Sequence, residues 1–152
     1  MDTRRTDRAV LTPEAVLALG QQTLANQPFS QLLGAQLTAL TAEGMCELRL
    51  PLRQALNQQH GFAHGGVVSY MADNALTYAG AVMLQVPVVT GEFKINYVRP
   101  AMGELLIARS SCLHAGRTQA VTRCDVFVVQ GSVEKLCASA QGTIQVLPAK
   151  AV

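Results

Sequence analysis

The longest apolar stretch of the chain has neither a strand's alternation nor an amphipathic helix's single stripe. From Gly65 to about Leu84, Val67, Val68, Met71, Ala72, Ala75, Leu76, Ala79, Val82 and Met83 fall on nearly every side of a helical projection, interleaved with small residues. A helix apolar on so many sides is enclosed by the protein rather than laid on its surface. After Pro87 the period becomes two, with Phe93, Ile95 and Tyr97 alternating with Glu92, Lys94 and Asn96, which predicts a strand. Further strands are expected at 103–114, 118–130 and 133–146, separated by turns at Ala115-Gly116-Arg117 and Gln130-Gly131-Ser132. On the last strand Leu136, Ala138, Ala140, Ile144 and Val146 share a face, and Gly142 on that face predicts a bulge or the close approach of another backbone. Earlier in the chain, Cys46, Leu48 and Leu50 alternate with Glu47 and Arg49 behind a Glu43-Gly44 turn, so 35–50 reads as a hairpin ended by Pro51. Thr12-Pro13-Glu14 supplies a hydroxyl cap, a first-turn proline and an acid, and predicts a helix to about Leu24. A shorter helical turn over 28–33 would be closed by Gly34.

This order predicts an α+β fold, with an antiparallel sheet of five to six strands around one long central helix. All 152 residues would form one domain, with a core over about 34–147 and the helix at 13–24 as an extension. A sheet around a single helix leaves an edge and a face uncovered, and a second copy of the chain would cover both. Charged residues make up 14% of the sequence against 49% hydrophobic, which also points to surface hidden between subunits. The net charge of +2 is scattered except for Arg4, Arg5 and Arg8, so no basic stripe exists for nucleic acid. The apolar run 67–89 contains Asp73, Asn74, Gln85 and Pro87 and does not read as a membrane span. Cys46, Cys112, Cys124 and Cys137 form no CxxC pair and have no histidine at metal spacing. They are expected to be reduced and mostly buried, as in a cytoplasmic protein.

The residues with chemical potential gather at the start of the central helix. Gln58-Gln59-His60-Gly61-Phe62-Ala63-His64-Gly65-Gly66 leads into it. Two glycines at a helix start let a ligand approach free backbone amides that favour negative charge. They serve either as an oxyanion hole or simply to let the helix pack closely. Asp73, among Met71, Ala72 and Ala75, is either a functional carboxylate or an acid held at a wet face by Thr77 or Ser69. At 100° per residue, Asp73 points about 180° away from His64 and lies roughly 13 Å along the axis. The two meet most readily across a twofold axis, which predicts a site shared between subunits. Ser69, Ser110 and Ser111 lack nucleophile-elbow spacing and read as structural.

Taken together, Gly61-Phe62-Ala63-His64-Gly65-Gly66, Asp73-Asn74-Ala75 and Asn96-Tyr97-Val98-Arg99-Pro100-Ala101 followed by Gly103 resemble the hotdog-fold acyl-CoA thioesterases, specifically the PaaI-like subgroup typified by phenylacetyl-CoA thioesterase. The Gly116-Arg117-Thr118 hairpin and the closing strand through Gly142 extend the likeness from about Gly34 to Val146. The resemblance implies a hydrolase of acyl-CoA that uses neither metal nor bound organic cofactor and works as a homodimer or homotetramer. It implies that Asp73 is the general base or nucleophile and that the Gly65 amide polarises the thioester carbonyl. His64 would support the loop or the leaving thiolate, Thr90 would hold the attacking water, and Gln58, where the family often has Asn, would orient substrate or water. Gly66 and Asn74 would line the substrate site, Arg99, Arg117 and Lys94 would meet the phosphates of the coenzyme, and the acyl group would run along the helix near Met71, Leu76 and Met83. The N-terminal helix would cover the sheet or cap the acyl channel. The rival reading is a hotdog module that binds acyl-CoA without turning it over.

Overall fold

The computed structural model of the chain describes residues 11–148, and the basic group Arg4, Arg5 and Arg8 lies outside them. Helix α1 (Pro13–Ala25) starts as its sequence predicts, with the Ala15 amide donating to Thr12 Oγ1 at 3.2 Å and Pro13 in the first turn. The short α2 (Pro28–Leu33) closes on Gly34, whose left-handed φ of 84° lets its amide donate back to the Ser30 carbonyl. Strands β1 (Gln36–Leu40) and β2 (Met45–Pro51) form the expected hairpin. A one-turn 3-10 helix over Gln54–Leu56, too short to leave a periodic trace, precedes the long α3 (Gly65–Leu84). Strands β3 (Val88–Tyr97), β4 (Leu105–Ala115), β5 (Gln119–Gln130) and β6 (Val133–Val146) complete one six-stranded sheet of order β1-β2-β4-β5-β6-β3, every neighbouring pair antiparallel.

Helix α3 lies across five of the six strands, β2 through β6. Its sheet side is fully buried at Met71, Ala72, Ala75, Leu76 and Ala79, against Leu48, Leu50, Leu106, Val126, Ala138 and Ile144. Small residues set how close it comes. At Gly80 a β-carbon would sit 2.8 Å from Ile144 Cβ, so only glycine admits this contact. Of the two readings of Gly142, close approach is the one observed: a β-carbon there would meet the Glu92 carbonyl oxygen and Phe93 Cβ, each at 2.6 Å. The bulge belongs to the neighbouring strand, where Thr90 pairs with Ile144 and Glu92 with Thr143, leaving Gly91 extra. A second bulge, at Cys137, brings Cys137 and Ala138 both to buried positions. That extra residue breaks the alternation expected of β6, so Leu136 is only half-buried instead of sharing the core face.

Helix α1 packs against β1 and touches the flank of α3 through Tyr78. Leu37 and Leu40 fill the space that a side chain at position 20 would take, and Tyr78 of α3 donates its hydroxyl to the Gly20 carbonyl at 3.0 Å. All four cysteines are free thiols, three of them buried, and burial pushes the Cys46 thiol up to about 12, far from a reactive thiolate. No helix among the described residues is long and apolar enough to cross a membrane.

Candidate active site

Asp73 is half-buried on the flank of α3 that borders the edge strand β3. Thr90, on the edge strand β3 beside its bulge, donates its hydroxyl to Asp73 Oδ1 at 2.7 Å. Thr77, one turn further along α3, places its hydroxyl 2.8 Å from that of Thr90 and 2.9 Å from the Asp73 carbonyl oxygen. Each hydroxyl has one proton, so the bond from Thr90 to Oδ1 leaves the Thr77 proton for the carbonyl or for Thr90. The carboxylate is thereby fixed through one oxygen, and among the described residues no protein donor reaches Oδ2. Ser110, by contrast, donates to the Ala75 carbonyl at 2.6 Å in the core, the structural role its sequence context suggested.

The start of α3 forms a second centre. His64 is the N-cap, with an extended backbone, and its Nδ1 accepts the Gly66 amide at 2.9 Å. With Nδ1 accepting, Nε2 is the ring's donor. The His64 carbonyl receives the amides of Val67 at 2.9 Å and Val68 at 3.3 Å. The Gly65 amide is left as the first-turn donor with no protein acceptor among the described residues. Gly65 is exposed, and its carbonyl accepts the hydroxyl of Tyr97 from the end of β3 at 3.2 Å. A groove of about 550 Å³ runs past Gly65 and Gly66 and is bounded by Phe62, Tyr97, Arg99 and Pro100. Arg99 stands in its wall and donates to the Leu136 carbonyl at 2.8 Å.

Two clusters therefore emerge, Asp73 with Thr90 and Thr77, and Gly65 with Gly66, His64 and Arg99. No hydrogen bond joins them within the chain, in keeping with the half-turn that separates Asp73 from His64 on the helix. Gln58 lies in the loop before α3, its Oε1 accepting the His60 amide at 2.7 Å. Its amide nitrogen is the part left to reach outward. Asn74 points elsewhere: its amide donates to the Tyr70 hydroxyl at 3.1 Å and Gln27 Oε1 at 3.3 Å, in a network through Ser30 that ties α2 to α3. Burial raises the pKa of Tyr70 above the usual tyrosine value, which keeps it a neutral donor there. Arg117 is exposed at the β4–β5 turn, away from the groove at Gly65. Met71 and Leu76 face the sheet with no exposed surface, so the expected acyl path beside them is closed by the packed core, while Met83 is exposed. Tyr97 was not expected as a site residue, and Thr77, expected only as a holder of an acid at a wet face, bonds to the Asp73 backbone carbonyl and lies beside Thr90. The four-residue step from Asp73 to Thr77 was the available signal, and it reads equally well as an ordinary helix contact.

Residues 60–135 match the thioesterase superfamily. The medium/long-chain acyl-CoA thioesterase YigI of Escherichia coli (strain K12) is 29% identical over 136 residues, covering 78% of this chain and 87% of that protein. Among solved structures, a thioesterase family protein from Silicibacter pomeroyi is 34% identical with a TM-score of 0.81, covering 88% of this chain and 99% of that one. A mutant of the phenylacetic acid degradation protein PaaI from Thermus thermophilus is 29% identical with a TM-score of 0.69, covering 80% of this chain and 100% of that one.

Proposed function

The chain belongs to the thioesterase superfamily and is a thioester hydrolase of the hotdog fold, and on that premise we propose that it hydrolyses fatty or aromatic acyl-CoA to the free acid and CoA at a site two copies share. One observation carries the reading: Thr90 fixes the half-buried Asp73 through Oδ1, and among the described residues no protein donor occupies Oδ2. A thioester carbonyl is reactive enough for one carboxylate and one preorganised amide to suffice. Asp73 draws a proton from water through Oδ2, the resulting hydroxide adds to the carbonyl, and the C–S bond breaks as the thiolate leaves and takes up a proton. Direct attack by the carboxylate would use the same oxygen. The Gly65 amide holds the charge that builds on the carbonyl oxygen, and His64, by occupying the Gly66 amide, leaves Gly65 as the open donor. Gln58 orients the substrate or the water through its outward amide, and Arg99 meets a phosphate of the coenzyme at the rim of the groove.

Because Asp73 and Gly65 stand apart in one chain, the site is completed by the Gly65 of a second copy, in a dimer or a dimer of dimers. The uncovered edge of β3, with Val89 and Tyr97 exposed, supplies the surface for that association. Buried free thiols support a reducing compartment, the cytoplasm. The test is thiol release from short, medium, long and aromatic acyl-CoAs by wild type and by Asp73→Asn. Turnover of at least one class by wild type, with a loss of at least a hundred-fold in the folded variant, is the expected result. Acyl-CoA binding without turnover by wild type would assign the chain to the binding-module class instead, and near-wild-type turnover by Asp73→Asn would remove the carboxylate from the mechanism.

A further inference from the structure

We propose that the groove between α1 and the C-terminal half of α3 receives the tail of the acyl chain, so that α1 sets which chain lengths are preferred; this rests on the acyl-thioester reading above. The groove holds about 590 Å³, within the range that small-molecule sites occupy. One wall carries Leu11, just ahead of α1, and Leu19 of α1, each about half exposed, and the other walls are Leu40, Ala42, Ala81 and Val82. Two half-exposed leucines on one wall, facing the partly exposed Ala81 and Val82 across the cleft, suit an apolar occupant.

The direction of α3 identifies that occupant. Asp73, Thr77, Ala81 and Gln85 are four residues apart, so they form one ridge that advances about 6 Å and turns about 40° with each step. From Asp73 to Ala81 the ridge covers about 12 Å and rotates by about 80°. The rotation carries it away from Thr90, which holds Asp73, toward the flank where Tyr78 bonds to Gly20 of α1. Ala81 and Gln85 line the groove. An acyl group whose carbonyl lies at Asp73 is thus directed along the ridge toward the cleft under α1. The alternative path, on the sheet side of the same helix, is closed, since Met71, Ala75, Leu76 and Ala79 have no exposed surface.

The proposal predicts how kinetics change with chain length. Each methylene buried in the cleft should lower KM about four-fold, beginning only when the chain is long enough to pass Thr77 and ending when the cleft is full. Ala81→Leu fills the cleft from α3, and Ala42→Leu fills it from the β1–β2 turn, where the position is exposed and a larger side chain is tolerated. In each variant the ratio of kcat/KM for hexadecanoyl-CoA to that for butanoyl-CoA should drop by more than ten-fold relative to wild type, since two or more methylenes lose their place. An unchanged ratio in both variants, with melting temperatures like that of wild type, overturns the proposal. If wild type hydrolyses no acyl-CoA at all, the thioesterase reading fails by itself. Calorimetric titration with the non-hydrolysable thioether analogues of butanoyl- and hexadecanoyl-CoA then decides the cleft separately. A preference for the longer analogue that Ala42→Leu abolishes upholds the cleft as an acyl site, and equal affinity for the two analogues overturns it.

Discussion

At the scale of single residues, the candidate site distinguishes two neighbouring glycines that the sequence presents as equivalent. Gly66 is occupied by His64 Nδ1, whereas Gly65 keeps its amide open. The family resemblance singled out the Gly65 amide, but the residues themselves do not show why, because the difference depends on the extended backbone of His64, whose ring turns back to the Gly66 amide. It makes a clean test possible. Gly65 is the first residue of α3, where proline is accommodated, and the extended conformation of His64 is the one a residue before proline adopts. A side chain at this position would meet only the Tyr97 ring, at an ordinary 3.8 Å. Gly65→Pro therefore removes one N–H and little else. The expected outcome is a loss of roughly a hundred- to a thousand-fold in kcat with the melting temperature nearly unchanged. Steady-state kinetics beside a thermal melt would check this, and a variant that retains its kcat would take the Gly65 amide out of the reaction. Asp73 itself was legible as a carboxylate in an apolar helix. Thr90, 17 residues downstream, was reached only through the family resemblance, since nothing local ties it to Asp73.

At the scale of elements, what the sequence displays well is what depends on neighbours along the chain. The cap at Thr12, the left-handed stop at Gly34 and the near-continuous apolar surface of α3 each follow from a few adjacent residues, and each stands where it was expected. The bulges at Gly91 and Cys137 depend on how distant strands register against one another, and alternation alone does not reveal them. The bulge at Gly91 also bears on the site, because it immediately follows Thr90 on the edge strand. Gly142, which pairs with Phe93 just past the bulge, holds the two strands close enough for that geometry. Gly142→Ala would drive a methyl group to within 2.6 Å of the Glu92 backbone oxygen, which no side-chain rotation can relieve. A destabilisation of about 1–3 kcal/mol in urea denaturation is expected, accompanied by a loss of activity as Thr90 is displaced from Asp73. Full stability in this variant would mean that β3 shifts freely against β6 and does not hold the site by rigid contact.

At the scale of the whole molecule, the separation of the two clusters becomes a statement about assembly. If Asp73 of one copy works with Gly65 of another, a dimer has two sites and each draws one residue from each chain. Asp73→Asn and Gly65→Pro are then defects of different halves of a site. In a mixed dimer, one site carries both substitutions and is dead, while the other combines the intact Asp73 of one chain with the intact Gly65 of its partner. Co-expression with separate affinity tags and random pairing would make half the dimers mixed, each with one working site, so the preparation should recover roughly a quarter of wild-type specific activity. Isolated mixed dimers should reach about half. If both groups act within one chain, every chain in the mixture lacks one of them and activity stays at the level of the two parents. The ratio of mixed-dimer activity to parental activity therefore reports directly on where the site lies, independently of which acyl chain is used. It also remains readable when neither variant is fully inactive, because rescue across subunits must exceed the sum of the residual activities.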